Sequence, residues 1–244
     1  MNLFSQQAYF QNKFSELHFQ FYDKVDSTNE KCKEMCRNDE CKNWVVVANA
    51  QSRGRGRYGR TWESQAKNIY ISFSIKNPFV NDIVTLNFYL GVMLYRAVIH
   101  SFPEIEKNLT LKWPNDLYFN DKKLAGILIE NVDNELRWIV VGMGINVYAS
   151  ANEIPDIATS LAIEGVREES MRTKVISCLL EEVYTRTTVE DYRELFWKYS
   201  GKTQNGVYSY TKGNKIYRGV LQCLHDDGSV TICDVEGQKI HIVV

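Results

Sequence analysis

The chain has 244 residues, 44% of them hydrophobic and 24% charged, and its 29 basic side chains face 30 acidic ones. Hydrophobic content of that order excludes wholesale disorder. A formal charge of −1 excludes a global field that would draw the chain to DNA or an anionic membrane, and the length suits one substantial domain with a small second one.

The richest apolar run, Ile83 to Ile99, carries Asn87 and Arg96 inside it and reads as a core helix rather than a membrane span. Met1 to Phe10 lacks the basic start, apolar run and small-residue cleavage site of a signal peptide. The six cysteines (Cys32, Cys36, Cys41, Cys178, Cys223 and Cys233) form no CxxC pair, and the histidines stand at no metal-ligand spacing to them. The expectation is reduced thiols in a cytoplasmic protein.

Leu17 to Tyr22 reads as a strand. A helix then opens at Asp26-Ser27-Thr28-Asn29-Glu30, with Ser27 and Glu30 at capping-box spacing. Trp44 to Ala50 is a buried strand, and Ile69 to Ile75 alternates as a half-exposed one. Thr85 to Ser101 is apolar at helical spacing. Leu109 to Trp113, Asp116 to Phe119, Lys123 to Glu130 and Leu136 to Asn146 read as strands, with turns at Asn120-Asp121 and Asp133-Asn134. Glu168 to Thr188 and Val189 to Tyr199 return to helical period.

From Val207 the chain becomes short β-rich runs separated by Lys212-Gly213-Asn214, Asp227-Gly228 and Glu236-Gly237, the pattern of a small barrel. The fold class expected is α+β: a mixed sheet with helices on one face over residues 1–200, then a small barrel over 201–244.

Gln51 to Trp62 (QSRGRGRYGRTW) is the most unusual segment. It holds a literal GxGxxG at Gly54, Gly56 and Gly59, but the next regular element reads as a strand, so a dinucleotide fingerprint is rejected. No Gly-Lys-Ser/Thr follows, which rejects a Walker A loop. What remains is four arginines (Arg53, Arg55, Arg57, Arg60) interleaved with glycines. Guanidinium forks bind phosphate oxygens bidentately, and glycines let backbone approach a ligand. Mutual repulsion predicts a loop that is mobile when empty and ordered when filled. A solvated basic loop and an RNA-binding arginine–glycine segment are the alternatives, the latter disfavoured because it needs a broad basic face.

Two further clusters follow. Lys112-Trp113-Pro114-Asn115-Asp116 sits at a strand break, because Pro114 has no N–H for the ladder. The break gathers a cation, an amide and a carboxylate that suit a metal–triphosphate complex, or else form a polar hairpin. Lys123 heads an apolar strand with small residues at Ala125 and Gly126. Asn146 follows Gly142 and Gly144, and its amide either bonds backbone or reads a ligand edge.

Ser27-Thr28-Asn29, Gln51, GRGRYGRTW (54–62), KWPNDLY (112–118), KKLAGILIE (122–130) and GMGINV (142–147) together resemble the biotin–protein ligases, in that family's order and approximate spacing. The resemblance covers residues 17 to 165 well and 166 to 235 faintly. It implies a class II synthetase-like catalytic domain, a C-terminal SH3-like barrel, and two steps. Biotin and MgATP give biotinyl-5′-AMP and pyrophosphate; the biotinyl group then passes to a lysine of a biotin carboxyl carrier domain of a carboxylase.

By the same resemblance, Ser27, Thr28, Asn29, Gln51, Gly54, Arg55, Lys123 and Gly126 are assigned to biotin. Arg57, Arg60, Trp62, Lys112, Asn115 and Asn146 are assigned to ATP, and Asn115 and Asp116 to Mg2+. Arg57, Lys112, Asp116 and Lys123 are the catalytic set, with Asp116 either accepting the acceptor amine's proton or contacting the metal. About twenty-five residues precede Ser27, too few for the family's helix-turn-helix repressor domain, so no operator binding is expected. An open sheet edge would permit a homodimer. The last strand of the barrel looks shortened. The rival enzyme is a lipoate–protein ligase or octanoyltransferase, which share the catalytic fold but lack the arginine–glycine run.

Overall fold

The computed structural model describes residues 3–38, 43–64, 67–79, 82–132, 137–185, 190–200, 207–212 and 215–243. Cys41 and the expected turns at Asp133-Asn134 and Gly213-Asn214 lie outside them. A short helix α1 (Gln7–Lys13) precedes strand β1 (His18–Val25), which runs parallel to β2 (Trp44–Gln51) through the crossover helix α2 (Thr28–Asn38). From there every pairing is antiparallel: β2 to β3 (Ile69–Lys76), β3 to β7 (Trp138–Ile145), β7 to β6 (Lys122–Asn131), β6 to β5 (Asp116–Phe119) and β5 to β4 (Leu109–Lys112). The result is one mixed seven-stranded sheet in the order β1-β2-β3-β7-β6-β5-β4.

Strand periodicity sorts the side chains into two buried layers. Val45 and Val47 of β2, with Ile69, Ile71, Phe73 and Ile75 of β3, enter the main core beside α3 (Ile83–Ser101), α4 (Met171–Tyr184) and α5 (Tyr192–Ser200). Val46 and Val140 face the other way, onto Cys32 and Cys36 of α2. Helices therefore cover both faces, not one, because a parallel β–α–β crossover must lay its helix on the sheet. The same fact corrects the expectation that β3 is half exposed. Its alternate positions are polar, yet Ser72 and Ser74 are fully buried under α2. Ser74 Oγ accepts from Trp44 N at 2.9 Å, and Ser72 Oγ stands 2.6 Å from Asn29 Oδ1 and 2.7 Å from Thr28 Oγ1.

The start of α2 is not closed by a capping box. The Thr28 N–H donates to Gln51 Oε1 at 2.8 Å, so a β2 side chain satisfies the helix N-terminus. Glu30 is committed elsewhere: it pairs with Lys33 at 2.9 Å and with Arg55. Lys33, only 8% exposed, also pairs with Glu130 of β6 at 2.9 Å, tying α2 to the sheet. Burial alone would push the Glu130 carboxyl up. The hydrogen bonds from Asn29 and Lys33, with the charges of Lys33 and Arg55, instead hold it below its ordinary 4.5.

Helix α3 is the one described helix long and apolar enough to cross a bilayer, and it is a core helix here. Asp82 caps it by accepting from Thr85 N at 2.8 Å. Phe88 packs on Phe196 with ring centroids 5.0 Å apart, and Tyr95 stacks on Tyr199 at 4.2 Å. Arg96, 9% exposed, is neutralised by a two-pronged pair with Glu190 at 2.6 and 2.9 Å.

The C-terminal strands β8 (Val207–Lys212), β9 (Lys215–Leu224), β10 (Val230–Cys233) and β11 (Lys239–Ile242) form a four-stranded antiparallel sheet in the order β11-β10-β9-β8. Tyr208, Val230, Ile232 and Ile242 join the main hydrophobic core, so the two sheets share one interior.

Removing one partner of a buried pair strands the other charge. Glu190→Ala is expected to lower stability by about 2 kcal/mol or more, read as a fall in the urea midpoint. For Glu130 the lowered pKa sets the sign. Its stabilisation is present in full above about pH 4.5 and is lost as pH falls through the depressed value. The difference in urea midpoint between the wild type and Glu130→Gln should therefore be constant at neutral pH and close on acidification.

Candidate active site

The fold leaves one large cleft of about 730 Å³ at the ends of β6 and β7, bounded by the arginine–glycine segment, the 112–116 turn and β8. Its floor is made by two glycines that face each other across the sheet, Gly126 of β6 and Gly144 of β7. A β-carbon at 144 would penetrate the Trp62 indole, and one at 126 would lie 3.0 Å from it. The bare backbone is thus what lets Trp62 lie flat on the sheet. No hydrogen bond to the indole N–H fixes Trp62; it is held by shape. A third glycine, Gly142, admits Asn29 in the same way on the α2 side.

Residues 54–62 form a small hairpin. Arg55 bridges Thr61, Gly56 N donates to Arg60 O at 2.7 Å, and Trp62 N donates to Gly54 O at 3.0 Å. Gly54 does not line the cleft; its missing side chain makes room for the loop's own Trp62 carbonyl and Ser64 hydroxyl. The repulsion expected among four arginines is relieved inside the chain. Arg53 pairs with Asp26 at 3.1 Å, and Arg55 pairs with Glu30 and with Glu130 at 3.2 Å. Arg57 has no carboxylate partner among the described residues and reaches only neutral groups, Asn115 Oδ1 at 3.3 Å and Tyr58 OH at 3.2 Å. Arg60 likewise has no ion pair there, and both line the cleft.

At one end of the cleft Ser27, Thr28 and Asn29 are buried beside Gln51. Gln51 accepts from Thr28 Oγ1 at 3.0 Å and donates to Ser64 Oγ at 2.8 Å. Asn29 donates to Glu130 Oε2 at 2.8 Å. These groups are a pre-formed polar lining at the N-terminus of α2.

At the other end Lys112 and Asp116 face each other as the last pair of the β4–β5 hairpin, while Asp116 pairs with Gly126 on its other side. Lys123 Nζ stands 2.7 Å from Asp116 Oδ1 and 5.2 Å from the Trp62 ring centre. Burial lowers the Lys112 pKa; Asp116 and Asp121 oppose that and Lys123 adds to it. Asn115 is fixed by donating to Ile127 O at 2.6 Å.

Three other placements matter. Asn146 lies outside the cleft and donates to Thr159 O at 3.0 Å, the backbone-bonding alternative of the two left open by sequence. Trp113, 2% exposed, is part of the core and also borders the cleft. Ser209, Tyr210 and Thr211 of β8 line the cleft, as does Tyr118. The alternation of VYSY signalled a strand there but carried no mark of which face it would present.

A divalent cation that arrives on nucleotide phosphates needs only one or two protein oxygens. Asp116 and Asn115 Oδ1 could supply that number at the lysine end of the cleft. Among the described residues no group of three or more His, Cys, Asp or Glu could hold a metal alone. The donors fit an ion carried by its nucleotide, not a protein-made cage.

Comparison with known proteins falls on the same segments. The model of the biotin/lipoate A/B protein ligase family matches residues 21–146. The bifunctional ligase/repressor BirA of Bacillus subtilis is 35% identical over 170 residues, which span 67% of this chain and 51% of that protein. The biotin--[acetyl-CoA-carboxylase] ligase of Mycobacterium tuberculosis is 35% identical over 150 residues, 58% of this chain and 53% of that protein. The chain thus spans about half the length of these curated relatives. The solved biotin protein ligase from Aquifex aeolicus in complex with biotin and ATP superposes with a TM-score of 0.71 at 29% identity, covering 93% of this chain and 96% of that one. From β1 to Asn146 the matched stretch contains the glycine floor, the arginine hairpin and the lysine–aspartate end of the cleft, and the chain belongs to the biotin/lipoate A/B protein ligase family.

Proposed function

We propose that the chain is a biotin–protein ligase that forms biotinyl-5′-AMP from biotin and MgATP and transfers biotin to a lysine of a biotin carboxyl carrier domain. The observation that carries this reading is the partition of charge in the cleft. Arg53 and Arg55 are neutralised by carboxylates, while Arg57, Arg60 and Lys112, with no ion pair among the described residues, line a cavity beside the Lys123–Asp116 pair, and its far end is a neutral hydrogen-bonding pocket. That asymmetry suits a substrate with a polyanionic end and an uncharged polar end. In this reading residues 1–200 hold both substrates and residues 201–244 are the SH3-like module.

In the first step a carboxylate oxygen of biotin bonds to the α-phosphorus as the bond to pyrophosphate breaks. Two anions must meet, so positioning and neutralisation carry the step. Lys123, above Trp62, follows the charge between carboxylate and α-phosphate; Arg57 and Arg60 hold the leaving phosphates. Ser27, Thr28 and Gln51 pair with the ureido ring, and an analogue without that ring would strand them. Asp116 and Asn115 would hold Mg2+, which would supply neutralisation of phosphate charge. In the second step the carrier amine attacks the acyl carbon, AMP leaves, and Asp116 accepts the amine proton. The 54–62 hairpin covers the acyl-adenylate against water.

The decisive experiment is mass spectrometry of products from the purified protein with biotin, MgATP and a carrier domain. Carrier gaining one biotinyl group, dependent on ATP and lost or strongly reduced in Lys123→Ala, is the expected result. Transfer of lipoate or octanoate in its place would overturn the reading. The arginines should also separate: Arg57→Ala and Arg60→Ala should lower kcat/KM for ATP by about 100-fold or more. Arg53→Ala, an exposed pair, should change it by less than about twofold.

A further inference from the structure

The aromatic residues around Lys112 are not explained by the substrate assignments above. Of the cleft lysines, Lys123 pairs with Asp116, whereas Lys112, like Lys122, has no carboxylate at ion-pair distance among the described residues. Its ammonium instead lies 4.3 Å from the Tyr118 ring centre and 5.6 Å from that of Tyr208, and donates to Tyr118 OH at 3.2 Å. Among the described residues one of its three N–H groups is used, and it lines the cleft without an ion pair. The aromatic faces stabilise the cation without cancelling it.

Tyr208 comes from the C-terminal sheet. It is 4% exposed, and its hydroxyl donates to the Trp113 carbonyl, the residue next to Lys112. The Trp113 indole N–H in turn donates to Gly228 O at 2.7 Å, in the β9–β10 turn. The segment that carries Lys112, Asn115 and Asp116 is thereby fastened to the second sheet at two points.

We infer that Tyr208 is a positioning residue for the nucleotide step: its ring forms one wall of an aromatic box that aims Lys112 at the triphosphate, and its hydroxyl fixes the turn that carries it. The inference rests on the ligase reading and deepens it. The C-terminal sheet then acts on the reaction through the phosphate end of the cleft.

The test is adenylate formation, followed by pyrophosphate release, in Tyr208→Phe, Tyr208→Leu, Lys112→Ala and the Tyr208→Leu/Lys112→Ala double variant, each checked for a native melting transition. Tyr208→Leu should raise KM for ATP roughly three- to thirtyfold, the equivalent of one cation–aromatic contact. KM for biotin should stay within about twofold, since the ring contact and hydrogen bond of Tyr208 are with Lys112 and Trp113 and neither is with Ser27, Thr28 or Gln51. Tyr208→Phe, which keeps the ring, should recover most of the loss. In the Lys112→Ala background the effect of Tyr208→Leu should disappear. Additive effects, or equal rises in both KM values, would overturn the inference. A wild-type protein that makes no biotinyl-AMP would instead sink the ligase reading.

Discussion

The site depends on a contact that exists because two side chains are missing. Gly126 and Gly144 pair across adjacent strands and leave a flat patch of backbone on which the Trp62 indole rests. With any larger residue at 144 the indole would be displaced, and the hairpin that ends in Trp62 would lose its seat. Lys123 would then lose the ring beneath it, and Asp116 the neighbour that holds its partner in place. The order of dependence runs from sheet register to glycine pair, from glycine pair to tryptophan, and from tryptophan to the reacting groups.

Charge is then distributed over that frame with little waste. The acidic pair Glu30 and Glu130 serves two basic groups at once, the buried Lys33 and the hairpin's Arg55. A single cluster thus docks α2 on the sheet and anchors the root of the hairpin. What distinguishes Arg57 and Arg60 from their neighbours is the lack of such a partner among the described residues, which leaves their charge for the cleft.

Much of this was legible in the sequence. Apolar spacing located nearly every regular element, Asp116 to Phe119 with the same bounds as the strand, and the residues assigned to substrates line one cleft apart from Asn146 and Gly54. Three things were not legible, each for a physical reason. The polar alternation of β3 mimics a solvent face, because a helix that presents Thr28 and Asn29 can bury serines as readily as water can solvate them. The capping box at Ser27 and Glu30 is a local pattern, overridden by the tertiary acceptor Gln51, twenty-odd residues away. Finally, four arginines in one loop look equivalent in sequence, and only the fold shows which of them meet carboxylates.

The shared interior of the two sheets has a thermodynamic consequence. Tyr208, Val230, Ile232 and Ile242 are packed into the same core as the seven-stranded sheet, so the C-terminal strands have no separate apolar centre on which to melt. Loss of either sheet would expose the core of the other, which is the condition for a single cooperative transition. A ligand bound wholly within the large sheet would then stabilise the small one by mass action, to the same extent and at the same temperature.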